Sequence, residues 1–390
     1  MLIEQVIDHF RTPDYLRGLE RLLSSRVQLF SQKYITLLED IAKSSDDPKL
    51  NKLNIYRTGH PDELDEISSK DLFGNTINCT RGRAYRSIAQ KFWNDQEYAL
   101  SHKYIIENAL NDEHAAVRMA TADLLLPMYN YDRNYAFQKF IELCQKDIRN
   151  TLSHGYHYYF NNAFSSEFKE PFITLVKMML NSSFQDVRME GHKQVIARWL
   201  FNDLFEEELQ LSLDSKNQES LLGYASVINQ LLGGDTKGYD HSKMKQFFEI
   251  LVNSENEEIL KKIGRFFGKK FWSKRYAREF FEMYVQSKAL NHNVYNVLHS
   301  IEESSIGIAQ FSDLIIIMIQ NILKLETQDL MSNLDTDAIT RVIQQLYDQA
   351  ENDGDDETLG YCLDMWDELL VSNHSFIRNM TEKLNSGLLS

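Results

Sequence analysis

A short pattern recurs in this chain at nearly constant intervals, and that recurrence narrows the available folds more than any other feature. Its clearest copies are Ala116-Val117-Arg118-Met119-Ala120-Thr121-Ala122-Asp123-Leu124-Leu125 and Asp186-Val187-Arg188-Met189-Glu190-Gly191-His192-Lys193-Gln194-Val195-Ile196. Looser copies run from Cys79 through Arg81, Gly82 and Ala84 to Tyr85, and from His154 through Gly155 to Tyr159. With Ala84, Ala120, Gly155 and Gly191 taken as equivalent, the spacings are 36, 35 and 36 residues. A period of that length describes a two-helix unit that buries its apolar face only against its neighbours.

The residue types fit this reading. A small residue lets two helix backbones approach, and the larger apolar residues one turn away fill the groove. Arg118 and Arg188 occupy matching places near the starts of their helices. Their long stems can cover apolar surface, and each guanidinium is expected to bond a carbonyl or carboxylate in the neighbouring repeat. Composition agrees with a helical chain. Only 5 prolines and 16 glycines among 390 residues argue against a turn-rich β fold. The expected architecture is therefore an all-α, HEAT-like helical-repeat solenoid built from paired antiparallel helices of about 35–36 residues per repeat.

Read in order, residues 1–44 predict two amino-terminal helices, the second from Asp14 to Ala42. Residues 45–78 read as an acidic, turn-prone loop or linker around Pro48 and Gly59-His60-Pro61. The helical-repeat domain follows at 79–388. Its expected helices cover 82–93, 97–110, 113–127, 134–147, 150–163, 168–181 and 184–200. Further helices are expected at 203–214, 217–232, 241–253, 256–271, 274–287, 291–302, 306–324, 335–350, 356–371 and 374–386.

The formal charge of -15 disfavours general nucleic-acid binding. Cys79, Cys144 and Cys362 lie far apart with no CxxC pair, which points to a reducing, cytoplasmic setting. Glu4 and Asp8 interrupt any signal-peptide core, and the strongest apolar run, Leu314 to Ile319, is far too short for a membrane crossing. No phosphate loop, zinc-helix motif or nucleophile elbow is present, so no cofactor, metal or catalytic residue is expected. His154 and His157, set among Tyr156, Tyr158, Tyr159 and Phe160, read as packing histidines.

One stretch reverses the charge. Between 261 and 278 lie Lys261, Lys262, Arg265, Lys269, Lys270, Lys274, Arg275 and Arg278, with no acid among them. The spacing of Lys261, Arg265 and Lys269 predicts one helix face, and Lys274 with Arg278 predicts another. Phe266, Phe267, Phe271 and Trp272 are the expected buried counterpart. Three readings stay open: a docking site for an acidic partner, pairing with the acidic carboxy-terminal third, or solvated faces with scattered salt bridges.

The segment Asn75-Thr76-Ile77-Asn78-Cys79-Thr80-Arg81-Gly82-Arg83-Ala84, followed by His114-Ala115-Ala116-Val117-Arg118, resembles the helical carboxy-terminal region of large bacterial STAND-type nucleotidases. The late stretch Leu363-Asp364-Met365-Trp366-Asp367-Glu368-Leu369-Leu370 is similar to the last paired helices of such regions. The resemblance covers about residues 60–385. In that family the region senses a foreign protein, while separate domains hydrolyse nucleotide and deliver the effector in antiviral defence. It implies a target-sensing region, or a stand-alone relative, whose partners are a phage protein and the nucleotidase or effector domains of a larger parent chain. A general protein-assembly scaffold and a helical-repeat nucleic-acid-binding protein remain the alternatives.

Overall fold

The computed structural model describes residues 32–50, 67–215, 217–234, 238–304, 308–324 and 333–371. All regular structure among these residues is helical, and the chain divides into two compact units, Met1–Gln194 and Val195–Ser390. The first contains α1 (Gln32–Ser44), α2 (Ser69–Thr76), α3 (Thr80–Asn94), α4 (Gln96–Ser101), α5 (Lys103–Leu110), α6 (Ala115–Met119), α7 (Thr121–Tyr131), α8 (Arg133–Lys146), α9 (Tyr156–Ala163) and α10 (Lys169–Leu180). Helix α11 (Gln185–Asn202) begins in this unit and ends in the next. The second unit continues with α12 (Glu206–Asp214), α13 (Gln218–Gly233), α14 (His241–Val252), α15 (Glu257–Ile263), α16 (Ala277–Val285), α17 (Val294–Glu302), α18 (Ser312–Leu323), α19 (Asn333–Asp353) and α20 (Asp356–Val371).

The repeat is carried by the turns as much as by the helices. At Ser45, Asp112, Asp147, Ser182, Asn217, Ser254 and Ser287 the side-chain oxygen accepts the backbone N–H two residues on, at 2.8 to 3.2 Å. The successive intervals are 67, 35, 35, 35, 37 and 33 residues, the first being two periods. From Asp112 onward each bond satisfies a donor that the helix ladder leaves open where a new helix or helical turn begins. The residue before three of these turns, Asn111, Asn181 or Asn253, caps the preceding helix and donates its Nδ2 to the carbonyl of Glu107, Lys177 or Glu249. One sequence unit thus closes a helix and opens the next.

Arg118 and Arg188 serve the same turns. Each Nη1 donates to two backbone carbonyls, those of Asp112 and Glu113 or of Ser182 and Ser183, at 2.8 to 2.9 Å. These carbonyls belong to the loop entering the arginine's own helix, not to a neighbouring repeat as expected. A stem that folds back over its own first turn reaches the loop more directly than it reaches the next repeat. Arg81 does cross between elements, pairing with Asp112 at 3.0 Å and donating to the Ser45 carbonyl at 3.2 Å. At the Asp147 turn the buried Arg149 forks onto the Asp147 carboxylate at 2.9 and 2.6 Å. It also donates to the Ile67 carbonyl and lies over the Phe184 ring.

Side chains between the helices make the core. In the first unit α3 packs on α1 and α7, α7 on α8, and α8 on α10. Phe137 and Phe140 of α8 meet Tyr159 of α9 and Phe172 of α10, with the Phe140 and Tyr159 rings stacked 4.1 Å apart. In the second unit α14 packs on α15 and α16, α16 on α18, and α18 on α20. Phe248, Phe267, Trp272 and Phe281 form its aromatic centre, and the buried Trp272 indole donates to Ser300 Oγ.

Several helix boundaries depart from the sequence reading. The 97–110 segment breaks at His102 and the 113–127 segment at Ala120. The 150–163 segment divides into a 3-10 turn, Ile148–Leu152, and α9. Gly155, expected inside a helix, sits ahead of α9 at φ +76°, where a Cβ would lie 2.2 Å from Leu126 Cδ2. The position demands glycine for its left-handed backbone as well as its size. Within the expected 45–78 linker, Ser69–Thr76 is helical because Ser68 caps it by accepting the Asp71 N–H. The first expected helix, most of the second, part of the linker and the 374–386 helix lie outside the described residues.

The other small positions do permit close approach. Ala84 and Ala120 are buried, and a Cβ on Gly82 would lie 2.4 Å from the Thr76 carbonyl oxygen. On Gly191 it would lie 3.0 Å from Met179 Cβ. Gly264 continues the series in the second unit, where an added Cβ would lie 2.5 Å from the Asn293 carbonyl oxygen. Gly264→Ala should therefore destabilise the protein by about 1–3 kcal/mol in urea unfolding. Gly360→Ala, on an open face of α20, should stabilise it by about 0.5–1 kcal/mol. Equal effects would contradict the close crossing.

Candidate functional site

The basic stretch does not form two helix faces. Helix α15 is opened by Asn256, whose Oδ1 accepts the Glu258 and Ile259 N–H groups, and it ends at Ile263. Arg265 and Lys269 therefore lie beyond it, and Lys274 precedes α16. Gly264 and Gly268 weaken the helix here, and the intervening chain buries two adjacent aromatic pairs, Phe266-Phe267 and Phe271-Trp272. The burial of these four residues is as the sequence predicts. Their segment is tied down by backbone bonds from the Phe266, Gly268, Phe271, Lys274 and Ala277 N–H groups to nearby carbonyls.

The eight cations have different fates. Lys261 pairs with Glu257 at 3.2 Å, Lys269 with Glu303 at 3.6 Å, and Arg278 with Asp313 at 2.5 Å. Arg278 also donates to the Gln310 carbonyl, and its guanidinium holds Asp313 below the usual carboxylate range. Lys270 and Lys274 have partners as well. Lys262, Arg265 and Arg275 are exposed and make no ion pair among the described residues. Internal pairing thus accounts for part of the stretch and leaves three cations open to a partner. Placing Lys261 and Lys262 in the last turn of α15 also sets them beside the negative end of its dipole.

A second polar cluster escaped the sequence reading. His154 is 56% exposed at its side chain and is not a packing residue; His157 is exposed too. His154 Nδ1 lies 2.8 Å from Asp123 Oδ1, and Arg86 Nε lies 3.2 Å from Asp123 Oδ2. The available signal was Asp123 itself, a charge set among Leu124, Leu125 and Leu126 on an otherwise apolar helix. Its bond to His154 raises the imidazole pKa above its ordinary value of 6.5, against the opposing effects of burial and Arg86.

Other chemistry finds little material. No group of three or more His, Cys, Asp or Glu side chains suited to a metal occurs among the described residues. All three cysteines are buried, and burial pushes the Cys362 thiol up to about 11, with Cys79 and Cys144 also raised. No described helix is long and apolar enough to cross a membrane. Comparisons with protein-family models, curated proteins and solved structures found no match.

Because the His154 pKa is raised, its pairing stabilises the fold fully below the unfolded value and is lost as pH rises through the folded value. The melting-temperature difference between the wild type and His154→Gln should therefore be larger at about pH 6 than at about pH 8.5. An identical difference at both pH values would show that the ion pair contributes nothing.

Proposed function

We propose that the chain is a protein-recognition module, and that the 261–278 surface docks an acidic region of a protein partner. The observation that carries this reading is the set of exposed, unpaired cations Lys262, Arg265 and Arg275, presented by a stretch whose Phe266, Phe267, Phe271 and Trp272 side chains are buried. Such a backbone holds its charges in place before a partner arrives, which lowers the ordering cost of binding. The net charge of -15 supports a protein partner over a nucleic acid, because most of the surface would repel a polyanion. The resemblance to STAND-type sensor regions supports a target from a phage, recognised in bacterial antiviral defence; a general assembly scaffold would use the same surface.

The reading is tested by titrating the chain and a Lys262→Glu, Arg265→Glu, Arg275→Glu variant against a panel of acidic phage proteins and a labelled DNA duplex. At least one protein should bind the wild type, and the reversal should weaken it by at least about tenfold with the helical circular-dichroism signal intact. Duplex binding should be weak at physiological salt. Tight duplex binding that falls steeply with salt and disappears in the variant would replace protein recognition with nucleic-acid binding.

A further inference from the structure

We propose that Arg86 and His154, bridged by Asp123, form an oxyanion-docking site in the first unit that accepts a carboxylate of an acidic peptide segment. The site draws on three elements: Arg86 from α3, Asp123 from α7, and His154 from the turn ahead of α9. Asp123 is largely buried and spends one oxygen on each neighbour. Its carboxylate hydrogen-bonds His154 Nδ1 and holds Arg86 by charge, the buried Arg86 Nε having no hydrogen-bond partner among the described residues, and it leaves the outer edges of both cations open. With Nδ1 turned to Asp123, a protonated His154 directs its Nε2–H elsewhere.

The Arg86 guanidinium is 5.8 Å from the centre of the Phe73 ring, which supports one of its flat faces. Its terminal nitrogens have no hydrogen-bond partner among the described residues, although the side chain is one-third exposed. The exposed rings of His157 and Tyr158, 4.3 Å apart, flank the His154 turn.

Charge decides the ligand class. The groups acting on His154 are Asp123 from α7 and Arg86 from α3; with the imidazole protonated, the trio carries one net positive charge. An isolated structural ion pair would be complete with Arg86 and Asp123 alone. The third member, more than half exposed, turns a closed pair into a site with two outward donors. A carboxylate suits this arrangement because the planar guanidinium edge can meet both of its oxygens. The inference is independent of the 261–278 surface.

The test uses the full chain labelled with carbon-13 in its histidine rings, with the His154 signal assigned through His154→Gln. A Glu-rich hexapeptide and inorganic phosphate are titrated separately at about pH 6 and about pH 8. The peptide should shift the His154 signal saturably and more tightly at the lower pH. Arg86→Gln should weaken the effect by at least about tenfold, and Arg86→Lys, which keeps the charge but not the fork, should weaken it too. Lys262→Glu, Arg265→Glu, Arg275→Glu should leave it unchanged. A His154 signal that ignores the peptide, that responds only to phosphate, or that shifts equally in folded Arg86→Lys would overturn the proposal.

Discussion

Every helix end in a packed array leaves backbone donors and acceptors that must find partners, because burying one unpaired costs more than the bond itself is worth. In this protein part of that requirement is met by side chains at a recurring place along the chain. Asp112, Asp147, Ser182, Asn217, Ser254 and Ser287 all accept the N–H two residues on. Such a cap is worth about 1 kcal/mol in isolation. Its repetition marks one helix or helical-turn start in each repeat from Asp112 to Ser287. The twin carbonyl bonds of Arg118 and Arg188 brace the same turns from above.

The Asp147 turn shows what happens when the pattern takes on a charge. There the turn aspartate also holds Arg149, which is 3% exposed and reaches the Ile67 carbonyl and the face of Phe184. A guanidinium buried that deeply persists only because its donors are used and its charge is matched. The pair joins the chain before α2 to the turn after α8. Asp123 is a related case in which the match is incomplete. One of its partners, His154, stands mostly in solvent, so the same electrostatic logic yields an exposed donor set.

Periodicity made much of this legible in advance. The all-helical class, the period near 35 residues, the small residues at close crossings and the buried aromatics of 266–272 all follow from spacing and residue type. What the spacing hid was local. Gly155 keeps the register of Ala120 but has a positive φ, because the Asp147 turn leads into a 3-10 turn in place of a full helix. The cations from Arg265 to Lys274 fit a four-residue spacing by composition alone, while Gly264, pressed against the Asn293 backbone, marks the end of α15. The Asp123–His154 pair was invisible because its members stand 31 residues apart and meet only once the repeats stack.

The functional account depends on a cationic surface that is already ordered before any partner binds. Amide hydrogen exchange across residues 264–277 of the free, full chain tests that requirement most directly. The segment has little regular helix, yet its N–H groups at Phe266, Gly268, Phe271, Lys274 and Ala277 are bonded and Phe266, Phe267, Phe271 and Trp272 are buried. The account predicts protection there comparable with that of the neighbouring α14 and α16. Exchange as fast as that of an unstructured peptide would contradict a pre-formed docking surface.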